Sequence, residues 1–384
     1  MANDAVAGDT LRVAPAQPGA TGEEVRGVPS ACGEDLVTGI DEVLAAFLAS
    51  EVDSLTEIDA AMGGFAAAAR DCVLAGGKRI RPTFAYWGWR AVVGGDERLP
   101  SVLPALAALE LLHTFALVHD DVMDASDTRR GLPTAHRAAA ARHRAAGHTG
   151  DPDRYGESVA VLIGDLCMVW ADRLMAHATL PPARLLEVRR CYDQMRVETV
   201  AGQFLDVLGE HDAAGWTVDR ALRVARYKTA SYTVQRPLLF GAHLAGAEAE
   251  SPLIAAYTRY GLAVGEAFQL RDDLLGVYGD PATTGKPAGD DLRTGKPTVL
   301  LMLARQLAGP TQRRALDRAG TVTGAREVAR LADLVRETGA VARVERMIAD
   351  RVADALAALD VPAIDGTARS ALAGLATAAT TRWA

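Results

Sequence analysis

From Asp35 onward, apolar residues recur three and four positions apart with few interruptions, the period of a helix with one buried face. This periodicity predicts helices over 35–49, 55–75, 82–94, 101–120, 133–146, 155–178, 182–209, 215–229, 231–247, 251–278, 297–308, 311–319, 325–338, 341–359 and 366–382. No run alternates with the period of two that a half-buried strand requires. The helices over 101–120, 155–178 and 251–278 are apolar on most sides, which predicts central positions. Residues 1–33 are rich in Ala, Gly, Pro, Asp and Glu and lack periodicity, so they read as a disordered tail. No change of composition after residue 34 marks a linker. The expected architecture is one all-α domain over 34–384, a single large bundle.

Composition supports that picture. Hydrophobic residues make up 49% of the 384, aromatic residues only 5%, and Ala and Leu dominate, a mixture that favours helix over strand. The net charge of −8 argues against a nucleic-acid partner. Cys32, Cys72, Cys167 and Cys191 have no CxxC spacing and read as reduced thiols of a cytoplasmic protein. The most apolar stretch, Leu103 to Val118, is interrupted by Pro104, Glu110 and His113, so no membrane span is expected. The first residues carry no secretory pattern.

At the far end of that stretch stands Asp120-Asp121-Val122-Met123-Asp124. Asp120 and Asp124 share a helix face, and Asp121 lies three residues before Asp124. A helix C-terminus already carries partial negative charge, so three carboxylates there call for a cation. Hard divalent ions take oxygen ligands of this kind. A solvated acidic helix end is the alternative. A second acidic site repeats the arrangement: Gln269, Asp272 and Asp273 share a face near the end of another long apolar helix. Two such sites suit divalent ions gathered around a polyanion, with surface ion pairing as the alternative.

The basic residues that matter are local. Gly76-Gly77-Lys78-Arg79-Ile80-Arg81-Pro82 ends one helix and begins the next. Lys78 and Arg81 both suit a phosphate there, and an ordinary charged turn is the alternative. Arg129-Arg130 follows the first acidic site closely and is placed either to neutralise the same polyanion or to balance the aspartates. His113, seven residues before Asp120, lies on nearly the same face as a phosphate donor or a satisfied core histidine. His136, His143 and His148 sit among Arg137, Arg142 and Arg144 and read as part of a solvated basic helix. The long irregular segment 279–296 mimics a phosphate loop. Its glycine spacing and Pro297 after Lys296 break the Walker pattern. Neither GxSxG nor HExxH occurs.

These pieces stand in a fixed order: GGKRIRP, HTFALVHDDVMD, RRGLPTAH, KTASY, FQLRDD and GKPAGDDLRTGK. In order and spacing they resemble the trans-isoprenyl diphosphate synthases (polyprenyl synthetases), over about residues 35–384. The resemblance implies an all-α bundle around a deep central cavity, a homodimer, and Mg²⁺-dependent condensation of isopentenyl diphosphate with an allylic diphosphate. By resemblance Asp120 and Asp124 would bind two magnesium ions and Asp272 a third, supported by Asp121 and Asp273. Arg129, Lys228 and Lys296 would contact the allylic diphosphate, and Lys78, Arg81, His113 and Arg130 would hold isopentenyl diphosphate. Thr229 and Gln269 would face the cationic carbons with oxygen dipoles.

One departure stands out. The second motif of the family reads DDxxD, whereas here Asp272-Asp273 is followed by Leu274-Leu275-Gly276. Gly276 cannot ligate metal, and Asp280, one turn later, is a candidate substitute. For chain length, small Ala116 and bulky Phe115, four and five residues before Asp120, resemble the twenty-carbon synthases and imply geranylgeranyl diphosphate as product. The alternatives are a fifteen-carbon or longer product, a class I terpene cyclase, and a non-catalytic partner subunit. Lys78, Arg81 and Arg130 argue against the cyclase, and the intact first motif argues against the silent subunit.

Overall fold

The computed structural model describes residues 33–95, 98–211, 215–280 and 288–381. The expected disordered tail lies outside the described residues except Gly33, which begins a helix. The first half of the fold comprises α1 (Gly33–Thr56), α2 (Ala60–Leu74), α3 (Ile80–Val93), α4 (Leu99–Met123), α5 (Ala135–Ala145), α6 (Pro152–Met175) and α7 (Pro182–His211). A two-residue ribbon, β1 (Thr128–Arg129) with β2 (Leu132–Pro133), follows α4 and is the only sheet among the described residues. The second half comprises α8 (Val218–Val224), a π-helical segment (Ala225–Gln235), α9 (Arg236–Ala245) and α10 (Pro252–Tyr278). It continues with α11 (Asp290–Thr294), α12 (Val299–Leu307), α13 (Pro310–Leu316), α14 (Ala325–Glu337), α15 (Ala340–Ala358) and α16 (Gly366–Thr380).

Local chemistry sets several of these boundaries. Asp151 and Ser251 cap the N-termini of α6 and α10 through side-chain oxygens, each followed by a proline whose missing N–H is no loss in a first turn. The core forms two clusters. The larger gathers α1–α4, α6, α7, α9 and α16, and the smaller gathers α12, α14 and α15. α10 runs through both: Tyr257 and Val264 belong to the first and Leu270 and Leu274 to the second. α4 is long and apolar enough to cross a membrane, but 61% of its most apolar window is buried inside the bundle, the pattern of a core helix.

Four expectations need correction. The predicted break near residue 230 does not exist, because α8, the π segment and α9 are continuous. Within it the Arg236 amide reaches back five residues to the Ser231 carbonyl, the wider winding that defines a π-helix. The segment 279–296 is not wholly irregular, since Asp290–Thr294 forms a helical turn. α6 is central on one face only: Ile163, Cys167 and Trp170 lie in the core, whereas Val161, Leu162 and Val169 are exposed. His136 and His143 are buried, not solvated. Thr134 Oγ1 lies 3.1 Å from His136 Nδ1 and the Thr149 carbonyl 3.1 Å from His143 Nε2, because that face of α5 packs on α6.

The π segment is wedged between α7 and α10 at two glycines. A Cβ on Gly202 would come within 2.3 Å of the Lys228 amide nitrogen, and one on Gly265 within 2.3 Å of the Ala230 Cα. These close approaches are possible only without a side chain. Gly265→Ala is therefore expected to cost roughly 1–3 kcal/mol through overpacking. Gly374→Ala, in a helix with open space at the Cβ position, should instead stabilise by up to about 1 kcal/mol. Urea unfolding of both variants checks the pair, and equal effects would refute the wedge.

Candidate active site

The C-terminus of α4, the polar face of α7, the π segment and the extended segment leading to α12 meet in one charged cluster. Lys228 Nζ donates to Asp120 Oδ1 at 2.9 Å and to Asp206 Oδ2 at 2.5 Å. Lys296 Nζ lies 2.8 Å from the same Asp206 oxygen and 3.6 Å from Glu210. Gln203 Nε2 donates to Asp120 at 3.0 Å. Burial opposes ionisation of Asp120, but Lys228, Lys296 and Arg129 outweigh it and hold its pKa at about 2. Burial likewise opposes the charge on Lys296, yet Asp206 and Asp124 drive its pKa well above the ordinary lysine value. Asp124 caps the helix end, and burial together with Asp120 raises its pKa.

The second acidic site faces the same hollow. Thr229 donates its hydroxyl proton to Gln269 Oε1 at 2.5 Å, and Gln269 Nε2 donates to Asp273 Oδ1 at 2.9 Å. The other oxygen of Asp273 accepts the Val299 amide at 3.0 Å, at the first residue of α12. Asp273 is buried, and that burial pushes its pKa up to about 8. Asp272, beside it, is half-exposed. The space enclosed by Asp206, Lys228, Thr229, Gln269 and Lys296 is about 60 Å³, because the two lysines lie across it.

Further basic groups gather on the ribbon and at the start of α3. Arg130 and Gly131, with φ of 54° and 76°, make the tight turn of the ribbon. Arg129 on one side of it donates through Nε to Asp121 at 2.9 Å, and Arg130 on the other donates to the Gly76 carbonyl. Arg81 donates to Thr233 at 2.9 Å and lies 4.2 Å over the Tyr232 ring. Its Nε is buried with no partner among the described residues, a donor left over for a ligand. His113 Nδ1 is 3.4 Å from the Tyr232 hydroxyl. Burial, then Arg81, Arg130 and Arg129, push its pKa well down, so it is a neutral imidazole. Lys78 is exposed.

A match to the model of the polyprenyl synthetase family covers residues 64–338. The chain belongs to the polyprenyl synthetase family. It is a trans-prenyltransferase that elongates isoprenyl diphosphates. It is 37% identical over 286 residues to the geranylgeranyl diphosphate synthase of Mycobacterium tuberculosis, which covers 74% of this chain and 75% of that one. It is 33% identical over 308 residues to the geranylfarnesyl diphosphate synthase of Aeropyrum pernix, covering 78% and 88%. Among solved structures, geranylgeranyl pyrophosphate synthase from Corynebacterium glutamicum, complexed with isoprenyl diphosphate and magnesium, superposes with a TM-score of 0.87. It shares 43% identity, over 91% of this chain and 99% of that one. The family is magnesium-dependent.

Against this family background the structure adds residues that sequence reasoning missed. Gln203, Asp206 and Glu210 form an i, i+3, i+7 stripe on α7. That spacing was the available signal, but an isolated polar stripe looks like any solvated face. Arg79, inside the basic motif, is buried and left-handed (φ 47°), with Nε 2.9 Å from Asp41 and Nη1 2.8 Å from Glu110. It anchors the turn that carries Lys78 and Arg81.

The missing third aspartate of the second motif also has a structural account. A Cβ on Gly276 would come within 2.1 Å of Asp291 Oδ2, so the carboxylate of Asp291, on α11, already fills that space. Asp280 is exposed beyond the helix end. Restoring the motif by Gly276→Asp should therefore lower both melting temperature and turnover. Adding Asp291→Gly in the same chain should recover most of each loss, and a double variant no better than the single would disprove the steric account.

Proposed function

We propose that this polyprenyl synthetase condenses isopentenyl diphosphate with allylic diphosphates and stops at geranylgeranyl diphosphate. The observation that carries the reading is the convergence of Asp120, Lys228, Asp206 and Lys296 on the hollow that Thr229 and Gln269 face. Asp120, Asp124 and Asp272 would hold magnesium, three ions in all. A carboxylate kept ionised down to about pH 2 is the hard oxygen donor such an ion takes. Bound magnesium supplies the charge neutralisation that makes diphosphate a competent leaving group. Lys228, Lys296 and Arg129 would turn from the carboxylates to the allylic diphosphate. The C–O bond breaks with its electron pair leaving on the diphosphate. The alkene of isopentenyl diphosphate, held by Lys78, Arg81, His113 and Arg130, forms the new C–C bond. A proton then passes to the released diphosphate. The hydroxyl proton of Thr229 is directed at Gln269, so its lone pairs are what it offers the allylic cation. Asp121 and Asp273 act one step back, through Arg129 and through Gln269 and the α12 amide.

Phe115 supports the twenty-carbon limit. It is half-buried on α4, its ring edge-on to His119 at 4.9 Å, and His119 is braced by the Val161 carbonyl at 2.9 Å. Ala116 beside it leaves room. The purified protein, given isopentenyl diphosphate, magnesium and primers of five, ten and fifteen carbons, should yield C20 product. Phe115→Ala should yield longer chains. An unaltered product size in that variant would remove Phe115 from the floor, and failure to incorporate isopentenyl units would remove the synthase reading.

The working unit is a cytoplasmic homodimer. Leu162 and Val169 on α6 and Val197, Val200 and Phe204 on α7 are each more than half exposed. An apolar surface of that kind suits a second copy. Val169→Glu should shift sedimentation from dimer to monomer, and a wild-type monomer at micromolar concentration would contradict the proposal.

A further inference from the structure

A cleft of about 480 Å³ opens between the π segment, α10 and α15, and it shares no lining residue with the reaction hollow. Each element contributes an arginine: Arg226, Arg259 and Arg351. Glu266 lies at the base and is buried, with Arg226 Nε 2.8 Å from one oxygen and Arg351 Nε 2.7 Å from the other. A buried carboxylate bound from both sides fixes two guanidinium groups in place. Both side chains remain part-exposed, and Arg259 is exposed, so donors are left for a ligand. With Asp354, the cleft holds three cations against two anions, one net positive charge on a chain of net −8. Its apolar lining is Leu262, Ala263, Ala357 and Ala358.

We propose that this cleft is a second, metal-free diphosphate site. It would take an isoprenyl diphosphate with the charged end across the three arginines and the hydrocarbon on Leu262, Ala357 and Ala358, and its occupancy would slow turnover. The identity of the ligand rests on the synthase reading above. A phosphate-bearing headgroup matches guanidinium geometry, and 480 Å³ exceeds the needs of a simple inorganic anion. The route to catalysis is short. Glu266 precedes Gln269 by one turn of α10, and Arg226 precedes Lys228 by two residues in the π segment. An anion that draws Arg226 from Glu266 disturbs the contact between the two elements that position Lys228, Thr229 and Gln269.

The test is calorimetric titration of the full chain with isopentenyl diphosphate in the presence of a metal chelator. Two sites per chain are expected. Arg259→Glu should weaken one by roughly tenfold or more, and the Lys78→Ala/Arg81→Ala variant should lose the other. In steady-state assays Arg259→Glu should leave the rate at low isopentenyl diphosphate unchanged and abolish inhibition at high concentration. Two unaltered sites in Arg259→Glu, or a single wild-type site lost with Lys78 and Arg81, overturns the cleft site and leaves the synthase reading standing. Loss of a site only in Arg259→Glu sustains the cleft and overturns the isopentenyl role of the basic turn. A weakened site with unaltered inhibition overturns the regulatory half.

Discussion

Four carboxylates, Asp120, Asp124, Asp206 and Glu210, share a poorly hydrated space with the ammonium groups of Lys228 and Lys296. Like charges in such a medium repel strongly, and unpaired ones are driven to neutralise. The lysines offset part of that penalty before any substrate arrives, leaving the pKa values of Asp124 and Glu210 raised. They also set the terms of exchange. A diphosphate with its divalent ions can replace lysine–carboxylate contacts by lysine–phosphate and carboxylate–metal contacts without leaving a charge unmatched. The ion pairs thus hold the site ordered, and the proposed binding would rewire those pairs instead of building the site.

The scaffold serves that circuit. α10 belongs to both apolar clusters, so Gln269 and Asp273 sit on a helix fixed along its whole length. The π segment brings Lys228 and Thr229 to the gap between α7 and α10, and its wide winding is tolerated because glycines stand on both sides. Asp273 spans the site and the scaffold at once. One oxygen orders Gln269 and the other holds the first amide of α12, contacts that favour the carboxylate but are outweighed by the burial that raises its pKa.

The helical architecture was legible because apolar periodicity is local and strong, and the two aspartate motifs and the basic turn because their residues are contiguous. What escaped notice is non-local. Asp206 and Gln203 gain meaning only once α4 and the π segment lie against them. A π register leaves no trace in hydrophobic spacing, so 225–235 read as two ordinary helices with a break at residue 230. His136 and His143 look solvated by their arginine neighbours until α6 covers them. Gly276 looked like a lost ligand, and its reason is a carboxylate fifteen residues away in sequence. The residues assigned by resemblance were easier to name than to rationalise, since neither Lys228 nor Lys296 carries any local mark of its ion-pair partners.

Arg79 extends the reach of the site to the first helix. Its guanidinium is shared between Glu110, which is buried on α4, and Asp41 on α1. The first helix supplies none of the proposed substrate groups, yet it furnishes half of the counter-charge for a buried cation one residue from Lys78. Shortening the chain from its N-terminus past Asp41 would not be a trim of dispensable length. It would strand that cation beside a single carboxylate and loosen the turn that carries Lys78 and Arg81, the groups proposed to receive the homoallylic substrate.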